Sequence, residues 1–283
     1  MTTSLALVLL TVLAAPFVGG LLLGIDRRVT ARLQSRIGPP IVQPFYDAIK
    51  LFGKSRMACN SIQMVSVSVF LATMVLCLVM LVCGQDLLVM LFILALGTVS
   101  LIVGGFSVKS PYSQLGSQRE ILQMLAYEPL LVLMVVAVYL KTHSFMSADV
   151  FRTSEPLLLS MPVFLVTQSF VLAIKLHKSP FDLSGAHHAH QELVRGVYTE
   201  FSGSQLALIE IAHWYELVLL LGFIAMLWHT SLWIGSLLAL ACYFGVILLD
   251  NVSARLTWGW MLRFAWTFGF GLSVANLAFI YAR

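Results

Sequence analysis

Long uncharged stretches divide this chain into apolar segments of similar length. A membrane-spanning helix needs roughly 20 mostly apolar residues, because lipid offers no hydrogen-bond partner for backbone N–H and C=O groups. Six of the segments contain no Asp, Glu, Lys or Arg, and two more are apolar but carry acidic residues. The predicted spans are Thr3–Ile25, Met57–Gln85, Leu87–Val108, Glu120–Leu140, Pro156–Ile174, Phe201–Trp228, Ser231–Leu249 and Phe264–Ala282. The pattern therefore predicts an all-α integral membrane protein with about eight transmembrane helices.

Composition supports the same fold class. The 283 residues are 59% hydrophobic and only 11% charged, whereas about a quarter of the residues of a soluble protein are charged. Little of the chain is left for a soluble domain, so we predict one multi-pass membrane domain over residues 1–283. The formal charge of +4 does not indicate a nucleic-acid partner, because membrane proteins carry basic residues that orient them in the bilayer.

The basic residues fall mainly on one side of the eight-span arrangement. Of the 17 Lys and Arg residues, 14 lie on the side that carries the loops Asp26–Arg56 and Lys175–Ser204, and three (17 − 14) lie on the other. Cytoplasmic loops carry an excess of Lys and Arg. We therefore predict that both long loops are cytoplasmic and that both termini lie outside.

The first of these loops shows helical periodicity. Phe45, Ile49 and Phe52 recur at i, i+4 and i+7, with charged residues between them. This spacing predicts a short amphipathic helix over Pro44–Lys54 that lies in the membrane interface, although an ordinary polar loop can show the same spacing by chance. No internal repeat is visible, so the inverted-repeat plan of many transporters is unsupported.

Acidic residues inside predicted spans are the strongest functional signal. An ionised carboxylate at mid-membrane costs several kcal/mol, so such a group is protonated, paired or beside water. Glu128 follows Glu120 by eight residues, about 80° around a helix, so we expect both to face one interior. Glu210, His213 and Glu216 step by three residues and form a slanted polar stripe. The predicted proton path comprises Glu120, Glu128, Glu200, Glu210, His213, Glu216, Arg119 and Tyr127. The alternative is that these acids pair with arginines and only hold helices together.

Metal and catalytic sites find little support in the sequence. His187, His188 and His190 form a cluster, but no cysteine lies near and the spacing is not a usual helical ligand pair, so contact with a partner protein is favoured. The four cysteines form no CxxC pair and are expected to be small buried side chains. No residue arrangement indicates nucleophilic catalysis, nucleotide binding, haem or an iron–sulfur cluster. We therefore predict no catalytic residue, metal or cofactor in this chain.

Four motifs occur in a characteristic order. They are Arg36–Pro39 with Gln43–Phe52, Tyr112–Gly116 followed by Arg119 and Tyr127–Glu128, Pro180–Leu183, and Glu200–Gly203. In this order and spacing they resemble the NuoH family, the membrane subunit 1 of respiratory complex I and its hydrogenase relatives. Each motif is weak alone, but the four together are highly specific and cover nearly the whole chain.

Departures from the family pattern indicate a branch. In the quinone-reducing branch the segment after Pro-Phe-Asp-Leu is short and acid-rich, and an acid stands at the position of His213; here Ser184–Gln191 is histidine-rich. Glu192–Gly196, Glu200–Gly203 and Ile209–Glu216 look like the membrane subunit of energy-converting [NiFe] hydrogenases of the EchB, MbhM and HycD type. The resemblance therefore favours the hydrogenase branch and puts a quinone site in doubt.

Membership of this branch implies a junction subunit in the cytoplasmic (inner) membrane of a prokaryote. It implies a hydrogenase large subunit with a [NiFe] centre and a small subunit with [4Fe–4S] clusters on the cytoplasmic face. It also implies neighbouring antiporter-like membrane subunits that move H⁺ or Na⁺. We predict that the soluble arm docks on residues of the two long loops, namely Arg36, Asp47, Lys50, Asp182, His187, His188, His190 and Glu192.

Three alternatives remain open at this point. The chain could be the quinone-binding subunit of a complex I-like NADH or F420:quinone oxidoreductase, which bound quinone in the purified complex would indicate. It could be a stand-alone ion transporter, which would carry ions by itself in liposomes. It could also be a passive scaffold, in which neutral replacements of the buried acids leave coupling intact.

Overall fold

A computed structural model describes residues 5–55, 57, 60–184 and 195–282 of the chain. Within these ranges every regular element is helical, which confirms the predicted fold class. The α-helices are α1 Leu5–Leu33, α2 Gln43–Phe52, α3 Ser61–Val82, α4 Leu87–Phe106, α5 Pro111–Thr142, α6 Ser147–Val150, α7 Leu157–Ser160, α8 Val163–Lys175, α9 Ser204–Met226, α10 Leu232–Val252, α11 Trp258–Phe264 and α12 Phe270–Tyr281. A 3₁₀ turn, Gly196–Tyr198, precedes α9, and a π-helical turn, Ala265–Gly269, joins α11 to α12.

Seven helical runs in the described residues are long and apolar enough to cross a bilayer: α1, α3, α4, α5, α9, α10 and the continuous run α11–α12. Exposed aromatic side chains mark both ends of the last two. Trp233 and Tyr281 lie at one end and are 85% and 84% exposed, and Trp258 and Trp260 lie at the other. Tryptophan and tyrosine are enriched at both membrane–water interfaces. The chain is therefore a multi-pass membrane protein.

The predicted fifth span, Pro156–Ile174, is not one continuous helix. It consists of the single turn α7 and the 13-residue helix α8, with Met161 and Pro162 between them. Proline lacks the N–H that a helix interior needs and disfavours helical geometry at the residue before it, so the break falls at this pair. Helix α8 is about 20 Å long, shorter than the roughly 30 Å hydrocarbon core. One of its ends must therefore lie inside the membrane.

The predicted amphipathic helix is confirmed as α2, but the apolar residues of its face are not equally buried. Phe45 packs against Trp214, with ring centroids 5.2 Å apart, and against Gly20 of α1. Ile49, by contrast, is 67% exposed. The chain approaches α1 closely here, since a Cβ added at Gly24 would lie 1.8 Å from the Ile41 carbonyl oxygen.

Helix α9 forms the centre of the bundle. In its most apolar stretch 67% of the residues are buried, compared with 17% in α1, and it packs against α1, α3 and α10. Helix α5 organises the other half, where it packs against α4, α8, α12 and the 3₁₀ turn. Because α9 is enclosed by its neighbours, polar residues on it must find partners within the protein.

Candidate functional site: a buried polar chain and a charged cavity

A buried ion pair links α8 and α9. Lys175 Nζ lies 2.8 Å from Glu216 Oε1, and the two side chains are 4% and 3% exposed. The same ammonium donates to Thr98 Oγ1 of α4 at 2.9 Å and lies 4.5 Å from the centre of the Tyr127 ring of α5. Three helices, α4, α5 and α9, thus supply partners to this one lysine of α8.

This ion pair lies deep in the membrane. Glu216 comes twelve residues after the start of α9 (216 − 204) and ten before its end (226 − 216). Thr98 is likewise near the middle of α4, eleven residues after its start (98 − 87) and eight before its end (106 − 98). At 1.5 Å per residue, twelve residues place Glu216 about 18 Å from the start of its helix. Helix α8 ends at Lys175, within one residue of the predicted boundary, but this end packs beside the middle of α9 and not near either end of it.

A series of hydrogen bonds continues from this ion pair. Glu216 Oε2 lies 3.0 Å from His213 Nδ1, and His213 Nε2 lies 3.0 Å from the Tyr198 hydroxyl. The same hydroxyl lies 3.2 Å from His177 Nε2, and His177 Nδ1 lies 3.2 Å from Ser184 Oγ. We call the six residues the polar chain; they are Lys175, Glu216, His213, Tyr198, His177 and Ser184.

The polar chain ends at the first turns of α5. Ser184 Oγ contacts Glu120 Oε2 and Gln123 Oε1. Gln123 Nε2 donates to the Phe181 carbonyl at 2.6 Å, and Arg119 Nη1 donates to the Leu183 carbonyl at 3.3 Å. Helix α5 therefore holds the segment that follows α8, whose backbone would otherwise lack partners at this depth.

Tyr198 is the central member of the polar chain. Burial is the main cause that raises the pKa of its hydroxyl well above the usual range, and the carboxylates of Glu120, Glu216 and Glu210 add to this effect. The hydroxyl therefore keeps its proton at cellular pH. A protonated hydroxyl can accept a hydrogen bond from one histidine and donate one to the other. Tyr198 can thus pass a proton between the two rings without forming a tyrosinate.

A second charged cluster joins α1 to α10. Lys178 Nζ lies 2.7 Å from Asp26 Oδ2 and 3.1 Å from Asp250 Oδ2, and Asp250 also accepts from the backbone N–H of Ser179 at 2.9 Å. Burial by itself lowers the pKa of Lys178, but the two carboxylates outweigh it and raise that pKa. The lysine therefore stays charged and fixes the segment after α8 to both helices.

An open cavity of about 520 Å³ lies beside this cluster, between α1, the chain that follows α1, and α10. A neighbouring cavity of about 280 Å³ lies between α1, α2 and α9. The charged residues lining the two are Asp26, Arg27, Arg36, Asp47, Lys50, Lys54, Lys178, Arg195, Glu210 and Asp250. Charged groups favour water over an apolar occupant, so this lining is suited to polar or ionic groups.

The structure divides the predicted proton path. Glu216, His213 and Glu120 belong to one connected network, and Tyr127 contacts its lysine. Glu210 instead faces the cavities, where its carboxylate lies 3.7 Å from Arg195. Glu200 is half-buried in the turn before α9, and no hydrogen bond or ion pair within the described residues connects it to the polar chain.

Glu120 and Glu128 are buried to different degrees, and their facing of one interior stays a prediction. Glu120 is 5% exposed, whereas Glu128 is only half-buried. On the helical face of Glu128, the preceding residues Ile121 and Leu125 are 38% and 49% exposed. The following residues on that face, Leu131 and Val135, are each 3% exposed. The eight-residue spacing fixes the angle between the two acids, but the neighbouring helices decide how deeply each is buried.

The predicted docking residues are only partly described. Arg36 and Asp47 line the cavities and Lys50 lines the smaller one. Asp182 lies 3.8 Å from Arg255. His187, His188, His190 and Glu192 lie outside the described residues. Of the cysteines, Cys77 is buried as predicted, Cys83 and Cys242 are half-buried, and Cys59 lies outside the described residues.

Several members of the polar chain were not predicted from the sequence. Lys175, His177, Ser184 and Tyr198 were not identified, because each was assigned to a cytoplasmic loop. One signal in the sequence could have identified Lys175. The apolar stretch that ends in Lys-Leu-His-Lys contains Pro162, and a proline at that position shortens the helix. His177 and Tyr198 are 21 residues apart in sequence, and no local pattern brings them together.

The fold and site define a multi-pass helical membrane protein with titratable groups connected from one side of the bundle to its middle. A sequence model of the family described as NADH dehydrogenase matches residues 5–281. The chain therefore belongs to the NADH dehydrogenase family, and the resemblance to NuoH is confirmed.

Individual relatives belong to both branches. A subunit of the NADH-quinone oxidoreductase of Syntrophobacter fumaroxidans is 27% identical over 92% of this chain and 89% of the relative. Hydrogenase-4 component C of Escherichia coli is 31% identical over 65% of this chain and 62% of the relative. Among solved structures, a chain of the membrane-bound sulfane sulfur reductase, an archaeal respiratory membrane complex, superposes with a TM-score of 0.88 at 24% identity, over 96% of this chain and 98% of that one. These relatives are subunits of larger complexes, which supports partnership of this chain with other subunits.

Proposed function

We propose that this chain is the membrane anchor and coupling subunit of a membrane-bound [NiFe] hydrogenase and links a soluble redox arm to H⁺ or Na⁺ translocation. The observation that carries the proposal is the polar chain, which connects the start of α5 to a lysine–glutamate pair at mid-membrane. Every link in it is a titratable or exchangeable group within 3.2 Å of the next. The [NiFe] centre and the [4Fe–4S] clusters belong to the partner subunits in this proposal.

The make-up of the polar chain supports the hydrogenase branch. Two histidines and a tyrosine connect Ser184 to Glu216. In the quinone-reducing branch of the family that the motifs resemble, an acid stands at the position of His213. The likeness to hydrogenase-4 component C agrees with this branch. A change of charge at the arm would act on these groups strongly, because the low dielectric of the protein interior weakens screening.

Glu128 indicates where a neighbouring membrane subunit binds. Its carboxyl group lies about mid-way along α5, on the face shared with the exposed residues Ile121 and Leu125. A half-buried carboxylate at this depth is costly, so we propose that another subunit covers the exposed part of this face in the complex. We propose that the cover is an antiporter-like subunit that exchanges protons with Glu128.

Glu128→Gln tests this coupling, because glutamine keeps the shape and hydrogen bonding but cannot titrate. We expect the variant complex to assemble and to evolve H₂ with artificial electron donors at the normal rate. Ion translocation in sealed vesicles should fall about tenfold or more, since loss of a positioned proton-transfer group typically costs at least that factor. Glu155→Gln changes an exposed acid far from α5's midpoint and should have no effect. Normal ion gradients in the Glu128 variant would remove this residue from the path.

The orientation is part of the same proposal: both termini outside, and the α1–α2 and α8–α9 connections on the cytoplasmic side of a prokaryotic inner membrane. Single cysteines at the exposed positions Lys54 and Lys141 test it, because these positions lie at opposite ends of the bundle. In intact cells an impermeant thiol reagent should label the cysteine at 141 and not the one at 54. Labelling in the reverse pattern would invert the orientation.

A quinone-binding subunit is the second candidate. The relatives named as subunits of NADH-quinone oxidoreductases and the open cavities beside α1 favour it. The ten charged residues lining those cavities disfavour an apolar ring. Extraction of the purified complex for bound quinone, alongside an assay for H₂ evolution, discriminates between the two candidates.

A further inference from the structure

Helix α2 keeps an apolar face that no part of the described chain covers. The helix packs on the bundle through Phe45 and Ala48. A stripe of exposed apolar residues runs along its outward face, from Val42 just before the helix (41% exposed) through Tyr46 (52%) and Ile49 (67%) to Phe52 (49%). A stripe of this kind on a short amphipathic helix is typical of contact with acyl chains at the membrane interface.

Two lysines without ion-pair partners border this stripe. Lys50 and Lys54 are exposed, and neither has an acidic partner among the described residues, whereas Arg27 pairs with Asp47 at 2.7 Å. Both lysines also line the open 280 Å³ cavity between α1, α2 and α9. That cavity is lined by four basic residues, Arg27, Lys50, Lys54 and Arg195, and by two acidic residues, Asp47 and Glu210. Because Asp47 and Glu210 lie against the two arginines, no acidic residue in the described part of the chain compensates the charges of the two lysines.

The geometry points to a binding site for an anionic phospholipid at α2. Lys50 and Lys54 bind its phosphate, and the acyl chains lie along the exposed stripe. Charge and apolar surface occur side by side here, so the ligand must be an amphiphile with an acidic head. Basic clusters on an amphipathic helix or just cytoplasmic of a transmembrane helix attract anionic lipids, and the exposed Arg28, Arg32 and Arg36 at the end of α1 add to that field.

An acidic segment of a partner protein fits this surface less well. It could neutralise Lys50 and Lys54, but it would leave Ile49, at 67% exposure, and its apolar neighbours in contact with water. A phospholipid covers both features at once. The site does not depend on the proposed coupling function, because neither lysine belongs to the polar chain.

The test uses the intact membrane complex in nanodiscs of phosphatidylcholine with a minor fraction of phosphatidylglycerol. After transfer to mild detergent, native mass spectrometry counts the phosphatidylglycerol molecules that stay bound. We expect the double variant Lys50→Gln/Lys54→Gln to retain one anionic lipid fewer than the wild type. Two lysines near an anionic surface together change the affinity by about thirtyfold. Lys141→Gln, a matched change of an exposed lysine at the far end of α5, should retain the full number.

A second variant separates the two kinds of occupant. Ile49→Ser/Phe52→Ser removes apolar contact and keeps both lysines, so it should also weaken retention of the anionic lipid. An unchanged lipid count in both double variants overturns the proposal. Release of the soluble subunits from Lys50→Gln/Lys54→Gln with an unchanged lipid count would assign the lysines to an acidic protein segment instead.

Discussion

Lys175→Met is expected to destabilise the protein by about 3–5 kcal/mol, the cost of leaving a buried charge without its partner. The variant keeps the length of the side chain but removes the ammonium 2.8 Å from Glu216. Glu216 then has only His213 as a partner for a carboxylate that is 3% exposed. The measurement is the midpoint of thermal unfolding of the purified complex, followed by size-exclusion chromatography in detergent.

The double variant Lys175→Met/Glu216→Leu separates stability from function. Replacing a whole buried ion pair by apolar residues of similar size is often neutral or stabilising, so we expect the fold and the assembly to recover. Ion translocation, which we expect to be lost in Lys175→Met, should not recover in the double variant, because the polar chain then ends at His213. If the double variant assembles and translocates ions like the wild type, the ion pair only holds α8 against α9 and the relay is excluded.

Tyr198→Phe should lower ion translocation about a hundredfold, within the range seen when a positioned proton-transfer group is removed. Phenylalanine fills the same space but lacks the hydroxyl that joins His177 and His213. The unfolding free energy should fall by about 1–3 kcal/mol, since ring nitrogens are left without a partner. H₂ evolution with artificial donors should be unchanged, because this chain holds none of the proposed redox centres.

Tyr215→Phe is the matched control for this change. The Tyr215 hydroxyl donates to the Val12 carbonyl at 2.8 Å, so its loss also removes a partly buried hydrogen bond. It lies outside the polar chain, and we expect a similar loss of stability without a loss of translocation. Equal losses of translocation in both tyrosine variants would mean that Tyr198 acts through stability alone.

The positions of the long helices could be predicted from the sequence, because a span has to keep about 20 apolar residues together to satisfy its backbone in lipid. The same holds for α2, whose spacing of Phe45, Ile49 and Phe52 repeats at a helical period. Both are properties of neighbouring residues. The family could be recognised for the same reason, since each motif is local and only their order spans the chain.

The candidate site depended on the tertiary structure. Periodicity fixes the angle between Glu120 and Glu128, but only packing against the 3₁₀ turn and α4 decides that the first is buried and the second half-buried. Hydropathy places Lys175 at the end of a span, but the break at Met161–Pro162 shortens α8, so that its last residue lies at mid-membrane.

The polar chain illustrates the same limit. Its members come from α8, the segment after α8, the 3₁₀ turn and α9, and they meet only because α9 is enclosed by its neighbours. The sequence determined which segments cross the bilayer, since that depends on the solvent each segment can tolerate. Contacts between residues far apart in the sequence decide which titratable groups touch each other. Local composition does not encode those contacts.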